Sequence, residues 1–324
     1  MCTSITLKTN CFYFGRNLDL EYDFNQEVLI TPRNLKIPLK NGEILSNHFA
    51  MIGMGTNANG IALYADAVNE KGLAMAGLNF PSFAHYQEPC VGKLNITPYE
   101  IIPLILGKCA SVKQAKELLN DMNITNIPYS ANYPLTPLHW MLADKHECIV
   151  IEQEKDGLHV YENPFGVLTN NPPFYFHQLN MNQYMNVDAH NAINTFADKL
   201  PLKTFGQGMG GIGLPGDYSP ASRFVLASFL KNNSICDNDE ESSIAQGFHI
   251  LDGVAMVKGS VITPSGLPDI TTYASLMNCD EGIYYYKTYN NNQINAVRLF
   301  NAPLNSEELI SFKLFDKQQI YFHN

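Results

Sequence analysis

Cys2 follows the initiator methionine directly, so removal of Met1 would leave a terminal residue with both a thiol and a free amine. The small side chain at the second position favours that removal. A free thiol has a pKa of about 8.5 and an α-amine one of about 7.7–8.0, so a neutral amine can accept the thiol proton near neutral pH. Arg16, a cation that favours a thiolate, and Asp19, a carboxylate, lie in the same stretch. The pattern predicts a nucleophile that carries its own base.

The elements that position these groups are predicted to be two strands of a hairpin. Residues 3–8 and 12–19 have strand composition, and Asn10-Cys11 lies at the turn between them. In a hairpin with a two-residue loop, this register places Cys2 opposite Asp19. Taken alone, a cysteine at this position is more often an inert, small, buried side chain than a nucleophile, so the prediction of its role depends on the rest of the chain.

Several short segments, in order along the chain, carry a resemblance to one enzyme family. They are Met-Cys-Thr at 1–3, Phe-Gly-Arg-Asn-Leu-Asp at 14–19, Ala-Gly-Leu-Asn-Phe at 76–80, Leu-Thr-Asn-Asn-Pro at 168–172, Gly-Leu-Pro-Gly-Asp at 213–217, Ser-Arg-Phe at 222–224 and Gly-Ile-Tyr-Tyr-Tyr at 282–286. Together they resemble the choloylglycine hydrolases, N-terminal nucleophile hydrolases that include bile salt hydrolases and penicillin V acylases. The resemblance implies an α+β fold, a four-layer αββα sandwich, and a homotetramer.

The resemblance also implies roles for individual residues. Cys2 would attack an amide carbonyl, with its own α-amine moving the proton, and water would hydrolyse the resulting thioester. Asn79 and Asn170 match oxyanion-hole positions, and Asp19 matches the carboxylate that holds the terminal amine. Arg16 and Arg223 match arginines near the sulfur. Without the family, Asn170 has the pattern of a turn residue and Arg223 that of a surface charge. The implied wall around an apolar acyl group contains Leu18, Leu20, Tyr22, Phe24, Leu63, Ile127, Tyr129 and Leu135.

The favoured substrates are conjugated bile salts, which are amides of glycine or taurine with a steroid acid. Penicillin V acylase is an alternative with the same machinery. Penicillin acylases of the family tend to carry an aromatic residue where this chain has Asn79, so the asparagine favours bile salts. Outside enzymes, the alternative is a binder of amphipathic acids that keeps the fold without catalysis.

Composition predicts a folded protein with one domain over residues 1–324. Hydrophobic residues make up 45% of the chain and charged residues 16%, and no Pro/Gly/Ser-rich linker divides it. The net charge of −10 disfavours nucleic acid partners, and an anionic substrate would need local cations such as Arg16 and Arg223. Without a leader or an 18-residue apolar run, we expect a cytoplasmic protein with no membrane insertion.

The other motifs predict neither a cofactor nor a metal. The seven cysteines lack CxxC spacing and the nine histidines form no HExxH motif, so no metal site is expected. The glycine-rich stretch 206–216 lacks the Lys-Ser/Thr of a phosphate loop. We therefore interpret that stretch as a structural loop.

Helix and strand signals alternate along the chain. Capping residues predict helices after Thr97, Ser111 and Ser219, and an acidic start at 239–242 predicts another helix through Val257. Short apolar runs predict strands before, between and after these helices, with residues 55–64 as a loop. This order predicts two packed sheets under layers of helices.

Overall fold

The computed structural model describes all 324 residues. It contains eighteen strands and five α-helices. The strands are β1 Cys2–Lys8, β2 Phe12–Leu20, β3 Glu27–Thr31, β4 Ile37–Pro38, β5 Ile44–Leu45, β6 Met51–Ala58, β7 Ile61–Asn69, β8 Ala74–Asn79, β9 Leu94–Ile96, β10 Met122–Ile124, β11 Leu138–Ala143, β12 Cys148–Glu154, β13 Gly157–Glu162, β14 Val167–Leu168, β15 Ile270–Asn278, β16 Ile283–Thr288, β17 Asn291–Arg298 and β18 Ile310–Phe312. The helices are α1 Ile101–Lys108, α2 Val112–Leu119, α3 Phe174–Met181, α4 Pro220–Asn232 and α5 Glu240–Asp252.

Two large antiparallel sheets form the centre of the molecule. The six-stranded sheet has the order β14-β1-β2-β15-β16-β17, and the eight-stranded sheet has the order β13-β12-β11-β8-β7-β6-β3-β18. Two short ribbons, β9–β10 and β4–β5, lie outside them. The N-terminal hairpin of β1 and β2 therefore sits inside the six-stranded sheet, where both of its strands are paired on each side.

The helices cover the outer faces of the two sheets. Phe224 of α4 and Phe248 of α5 belong to a core of 39 buried side chains that also contains residues of both sheets. Ile105 of α1 and Ala115 of α2 belong to a second core of 26 buried side chains on the far face of the eight-stranded sheet. The layers are helix, sheet, sheet and helix, which confirms the predicted α+β sandwich.

The predicted helix starts are confirmed by their caps. The side-chain oxygens of Ser111, Ser219 and Asp239 accept main-chain N–H groups of the first turns of α2, α4 and α5. However, α5 ends at Asp252, five residues earlier than predicted. The chain leaves the helix at Gly253 through successive tight turns, one of which joins the N–H of Val254 to the carbonyl of Leu251.

The prediction of a loop at residues 55–64 is wrong, because this segment is the tip of the β6–β7 hairpin. Asn59 and Gly60 form its two-residue turn with φ angles of 55° and 88°, the left-handed region that Asn-Gly supplies at tight hairpin turns. Gly53 and Gly55 allow the paired strand to approach closely. The small residues that suggested a loop therefore reflect strand packing.

Candidate active site

Cys2 is the first residue of β1 and is only 4% exposed. It pairs with Leu18 of β2, so the predicted pairing with Asp19 is wrong by one residue. The loop has three residues instead of two: Thr9 donates its main-chain N–H to the carbonyl of Cys11, and the side chain of Asn10 accepts the N–H of Cys11. The shift leaves the main-chain N–H of Asp19 bonded to the carbonyl of Met1 at 2.8 Å.

Arg16 points its guanidinium at the sulfur of Cys2. Its Nη2 lies 2.8 Å from Cys2 Sγ, and its Nη1 donates to the carbonyls of Ala65 and Gly77. Burial opposes the charge of Arg16, but the sulfur of Cys2 and the carboxylate of Asp66 raise the pKa of Arg16 above its ordinary value. A fixed cation beside a sulfur favours the thiolate, which is the nucleophilic form.

Asp66 forms a buried ion pair with Arg16. Its Oδ2 is 3.9 Å from Arg16 Nε, and both side chains are fully buried. The hydroxyls of Tyr273, Tyr284 and Ser275 all donate to the carboxylate of Asp66. Burial raises the pKa of Asp66, while Arg16 and the tyrosine hydroxyls act in the opposite direction. The sequence alone did not suggest this network, because its members come from β2, β7, β15 and β16.

The amine side of Cys2 faces a set of carboxylate and amide oxygens. The N–H of Cys2 donates to Asn170 Oδ1 at 2.9 Å, and the amine of Met1 donates to the main-chain oxygen of Asp19 at 2.6 Å and to Asp269 Oδ2 at 3.2 Å. The side chain of Asp19 is buried, and its Oδ2 has no hydrogen-bond partner. Burial raises the pKa of Asp19, while the terminal amine and Arg223 lower it.

Asn170 and Arg223 form a second group against the main chain of Cys2. Arg223 Nη2 donates to Asn170 Oδ1 at 2.6 Å, and its Nη1 donates to the carbonyl of Cys2 and to Thr3 Oγ1. Arg223 is 1% exposed, so the interpretation of a surface charge is wrong. Since Asn170 Oδ1 accepts from Cys2 and Arg223, its Nδ2 is the donor end of the side chain, and it donates to the carbonyl of Asn79 at 2.7 Å. Asn170 is therefore more than a turn residue.

A cavity of about 550 Å³ lies next to this group. Its wall includes Ala65 and Gly77, whose carbonyls hold Arg16, so one end of the cavity lies beside the group around the sulfur. Asn79 also lines it. Five predicted wall residues contribute to the lining, namely Leu18, Leu20, Tyr22, Phe24 and Leu63. The cavity therefore offers a partly apolar space beside the residues that hold Arg16.

A comparison with protein families decides the class of this site. The model of linear amide C–N hydrolases, choloylglycine hydrolase family, matches residues 2–312. The chain belongs to the choloylglycine hydrolase family. It is an enzyme that hydrolyses linear amide C–N bonds.

Individual relatives are similar to this chain over its full length. The chain is 45% identical to a bile salt hydrolase/transferase of Lactiplantibacillus plantarum, with all of both chains covered. A crystal structure of a mutant conjugated bile acid hydrolase from Clostridium perfringens has a TM-score of 0.93 and 42% identity, again covering both chains entirely. A penicillin V acylase from Agrobacterium tumefaciens, at 18% identity over 96% of this chain and 91% of that one, shares the fold with a TM-score of 0.75.

Three of the predicted wall residues do not line the cavity of about 550 Å³. Ile127 and Leu135 are not among the residues that line the cavity, and Tyr129 lines a neighbouring cavity of about 430 Å³. The predicted segment does contribute, but through the missed residues Tyr133, Pro134 and Thr136, and the missed Tyr99, Leu138 and Trp140 also line the cavity. The segment before β11 lacks strand alternation, so its sequence carried no signal for which side chains face inward.

The structure shows neither a metal-ligand cluster nor a helix suited to cross a membrane. No group of three or more His, Cys, Asp or Glu side chains is placed to hold a metal ion. None of its helices combines the length and the apolar character needed to cross a membrane.

Proposed function

We propose that the protein hydrolyses the amide bond of glycine- or taurine-conjugated bile salts, with Cys2 as the nucleophile once Met1 has been removed. The observation that carries this proposal is the charged Arg16, with Nη2 at 2.8 Å from Cys2 Sγ, next to a cavity with a partly apolar wall. Relatives at 43–45% identity over at least 97% of the chain are named bile salt hydrolases/transferases, which supports the substrate class.

In the proposed reaction, the freed α-amine of Cys2 takes the proton of the Cys2 thiol, and the thiolate that results attacks the amide carbonyl. Asn170 Nδ2 and the side chain of Asn79 would donate to the developing oxyanion, and one such donor contributes about 10²–10³ in rate. The amine then passes the proton to the leaving nitrogen, and glycine or taurine departs. Water attacks the thioester that remains, and the bile acid is released.

Asp19 is the proposed anchor of the freed amine. Its Oδ2 is buried and has no hydrogen-bond partner, and the charges of the terminal amine and of Arg223 lower the pKa of Asp19 against the effect of burial. Loss of Met1 would turn an amide N–H into an amine with more hydrogens to donate, and this amine becomes an ammonium when it takes the thiol proton. A buried carboxylate oxygen without a partner is a suitable acceptor for one of them.

The substrate assignment distinguishes two amidases that share this machinery. A steroid is long and rigid, and its apolar surface suits a wall that contains Leu18, Leu20, Phe24 and Leu63. Asn79 stands where penicillin acylases of the family tend to have an aromatic residue. Penicillin V acylase activity is therefore the second candidate, expected to be the slower one.

We also propose that the 324 residues act as one cytoplasmic domain that assembles into a homotetramer. Apolar side chains at residues 185–212 are strongly exposed in the isolated chain: Met185, Ile193, Phe196, Phe205 and Ile212. Exposed apolar side chains at this density mark surfaces that bind other protein chains. Light scattering coupled to size-exclusion chromatography measures the subunit number directly, and a monomer at working concentration would contradict the assembly.

The test of function compares glycocholate, taurocholate and penicillin V with the purified protein, measuring the rate of release of glycine, taurine or 6-aminopenicillanic acid. We expect both bile salts to be cleaved faster than penicillin V. Cys2→Ser should bind bile salt but turn it over at background rate, whereas Cys11→Ser, in the same hairpin but outside the site, should keep turnover. Faster cleavage of penicillin V would overturn the substrate assignment. Equal binding of bile salt by the parent and by Cys2→Ser, with no turnover by either protein, would favour the non-catalytic binder.

A further inference from the structure

The main chain that carries Asn170 is held by two buried imidazoles. His139 Nε2 lies 3.0 Å from the carbonyl oxygen of Thr169, and His177 Nε2 lies 2.9 Å from that of Asn170. Both histidines are fully buried, and the ring of His139 stacks on Phe80 at 4.3 Å with an interplanar angle of 5°. Two consecutive carbonyls therefore each receive a hydrogen bond from a side chain on another element.

The pair formed by His139 and Glu152 must retain a shared proton. A carbonyl oxygen can only accept, so His139 Nε2 has to donate to Thr169. The other ring nitrogen, Nδ1, lies 2.8 Å from Glu152 Oε1, and the carboxyl group of Glu152 also accepts the N–H of Phe174 at 3.0 Å. A proton must lie between Nδ1 and Oε1, since otherwise two lone pairs would face each other in a fully buried site.

We propose that His139 and Glu152 are a positioning pair that fixes the main chain at Thr169 and Asn170 so that Asn170 Nδ2 is aimed at the reacting carbonyl. This inference rests on the proposed function, in which Asn170 is an oxyanion donor. Neither member of the pair lines the substrate cavity, so the pair acts through Asn170 and not on the substrate.

The pair supplies a main-chain anchor of this segment that Cys2 and Arg223 do not supply. Asn170 Oδ1 is held by the N–H of Cys2 and by Arg223, which fixes the far end of the side chain. The direction of Nδ2 then depends on where the main chain lies, and His139 contributes to that position through Thr169, as His177 does through Asn170. An error of about 1 Å in the placement of a catalytic group costs on the order of a hundredfold in rate.

The first variant is His139→Phe, which keeps an aromatic ring for the stack on Phe80 but loses both ring nitrogens. We expect kcat for glycocholate to fall about ten- to a hundredfold, less than the ~10²–10³ typical of losing an oxyanion donor outright. KM should stay close to the parent value because the cavity wall is intact. Alkylation of Cys2 by iodoacetamide, which needs the sulfur but no oxyanion hole, should proceed at a rate close to that of the parent.

The second comparison uses Glu152→Gln and Glu152→Leu. In Glu152→Gln, the amide NH₂ can donate to Nδ1 of a neutral His139 while the amide oxygen accepts from Phe174, so every hydrogen bond survives without a charge. We expect Glu152→Gln to retain most of kcat. Glu152→Leu has a similar volume but no hydrogen bonds, and we expect it to lose as much of kcat as His139→Phe.

A control separates positioning from general destabilisation. Ile151 precedes Glu152 in β12, but its side chain lies in the core on the other face of the sheet. Ile151→Ala should lower the thermal unfolding midpoint while leaving kcat close to the parent value. If His139→Phe lowers the midpoint but not kcat, or if Glu152→Gln loses as much of kcat as Glu152→Leu, the positioning inference is overturned.

The proposed function can fail separately from this inference. Asn170→Ala tests the oxyanion assignment itself. If Asn170→Ala leaves kcat intact, then the assignment and the inference both fail. If Asn170→Ala reduces kcat by about 10²–10³ while His139→Phe does not reduce it, only the positioning inference fails.

Discussion

His177 is predicted to make the stability of the protein depend on pH in a defined window. It is fully buried, its Nε2 donates to the carbonyl of Asn170, and its Nδ1 has no partner. Burial lowers the pKa of His177 from 6.5 to about 4, so the folded protein keeps this ring neutral. An unfolded chain, in contrast, protonates the same ring once the pH falls below its ordinary pKa.

The sign and size of the effect follow from this difference. Above pH 6.5 neither state binds the proton, so His177 contributes no pH dependence. As the pH falls from 6.5 to about 4, only the unfolded chain binds a proton on His177, so the folded state loses stability relative to the unfolded one. Below about pH 4, the ring is protonated in both states and the loss stops growing. One pKa unit corresponds to about 1.4 kcal/mol, so the full loss is about 3 kcal/mol.

The assay is urea unfolding of the parent and of His177→Gln at several pH values between 7 and 4. Glutamine can donate to Asn170 but does not titrate, and its lost stacking on Phe224 adds only a constant difference. The free-energy difference between the two proteins should shift by about 3 kcal/mol in favour of the variant as the pH falls. Parallel curves would show that His177 is already charged or exposed in the folded state, and the reasoning would be refuted.

Three further outcomes are expected. Gly53→Ala should prevent normal folding, because the added Cβ would overlap the main-chain oxygen of Asp66. The control is Gly216→Ala, where the space is open, and this variant should unfold at the temperature of the parent in calorimetry. Arg16→Met should cost about 3–5 kcal/mol of stability in denaturant unfolding by leaving Asp66 as an unpaired buried charge, and adding Asp66→Asn should recover part of it. Leu63→Ala should raise KM for glycocholate by about tenfold with kcat nearly unchanged, since one apolar wall residue contributes ground-state binding; a fall in kcat alone would contradict its place in the wall.

The parts of the fold that local patterns determine were predictable from the sequence. Three helix starts could be predicted from their capping residues, Ser111, Ser219 and Asp239, because a cap is a contact between residues three positions apart. The hairpin of β1 and β2 was also predicted, but its register was off by one residue. Whether Thr9 joins the loop depends on two hydrogen bonds at the turn, which composition does not specify.

The groups that surround the catalytic candidates were harder to predict because they come from distant parts of the chain. Asp66 reaches Arg16 from β7, a strand whose first residues were interpreted as a loop. His139 and Glu152 lie within apolar strands, where a single polar residue has no local signature. Their pairing becomes visible only when β11 and β12 lie side by side. A resemblance to a family suggested the residues that we propose for the reaction centre, but it did not suggest Asp66, His139 or Glu152, which contact them or their neighbours.

The central claim is that the active chain begins at Cys2 and that this residue becomes acylated. Intact mass spectrometry of the active preparation, acid-quenched during glycocholate turnover, tests both parts in one measurement. We predict a chain lacking Met1, and a fraction that carries a cholyl group on its N-terminal peptide as a thioester. Full turnover by a chain that retains Met1, or an adduct on any other residue, would contradict the account.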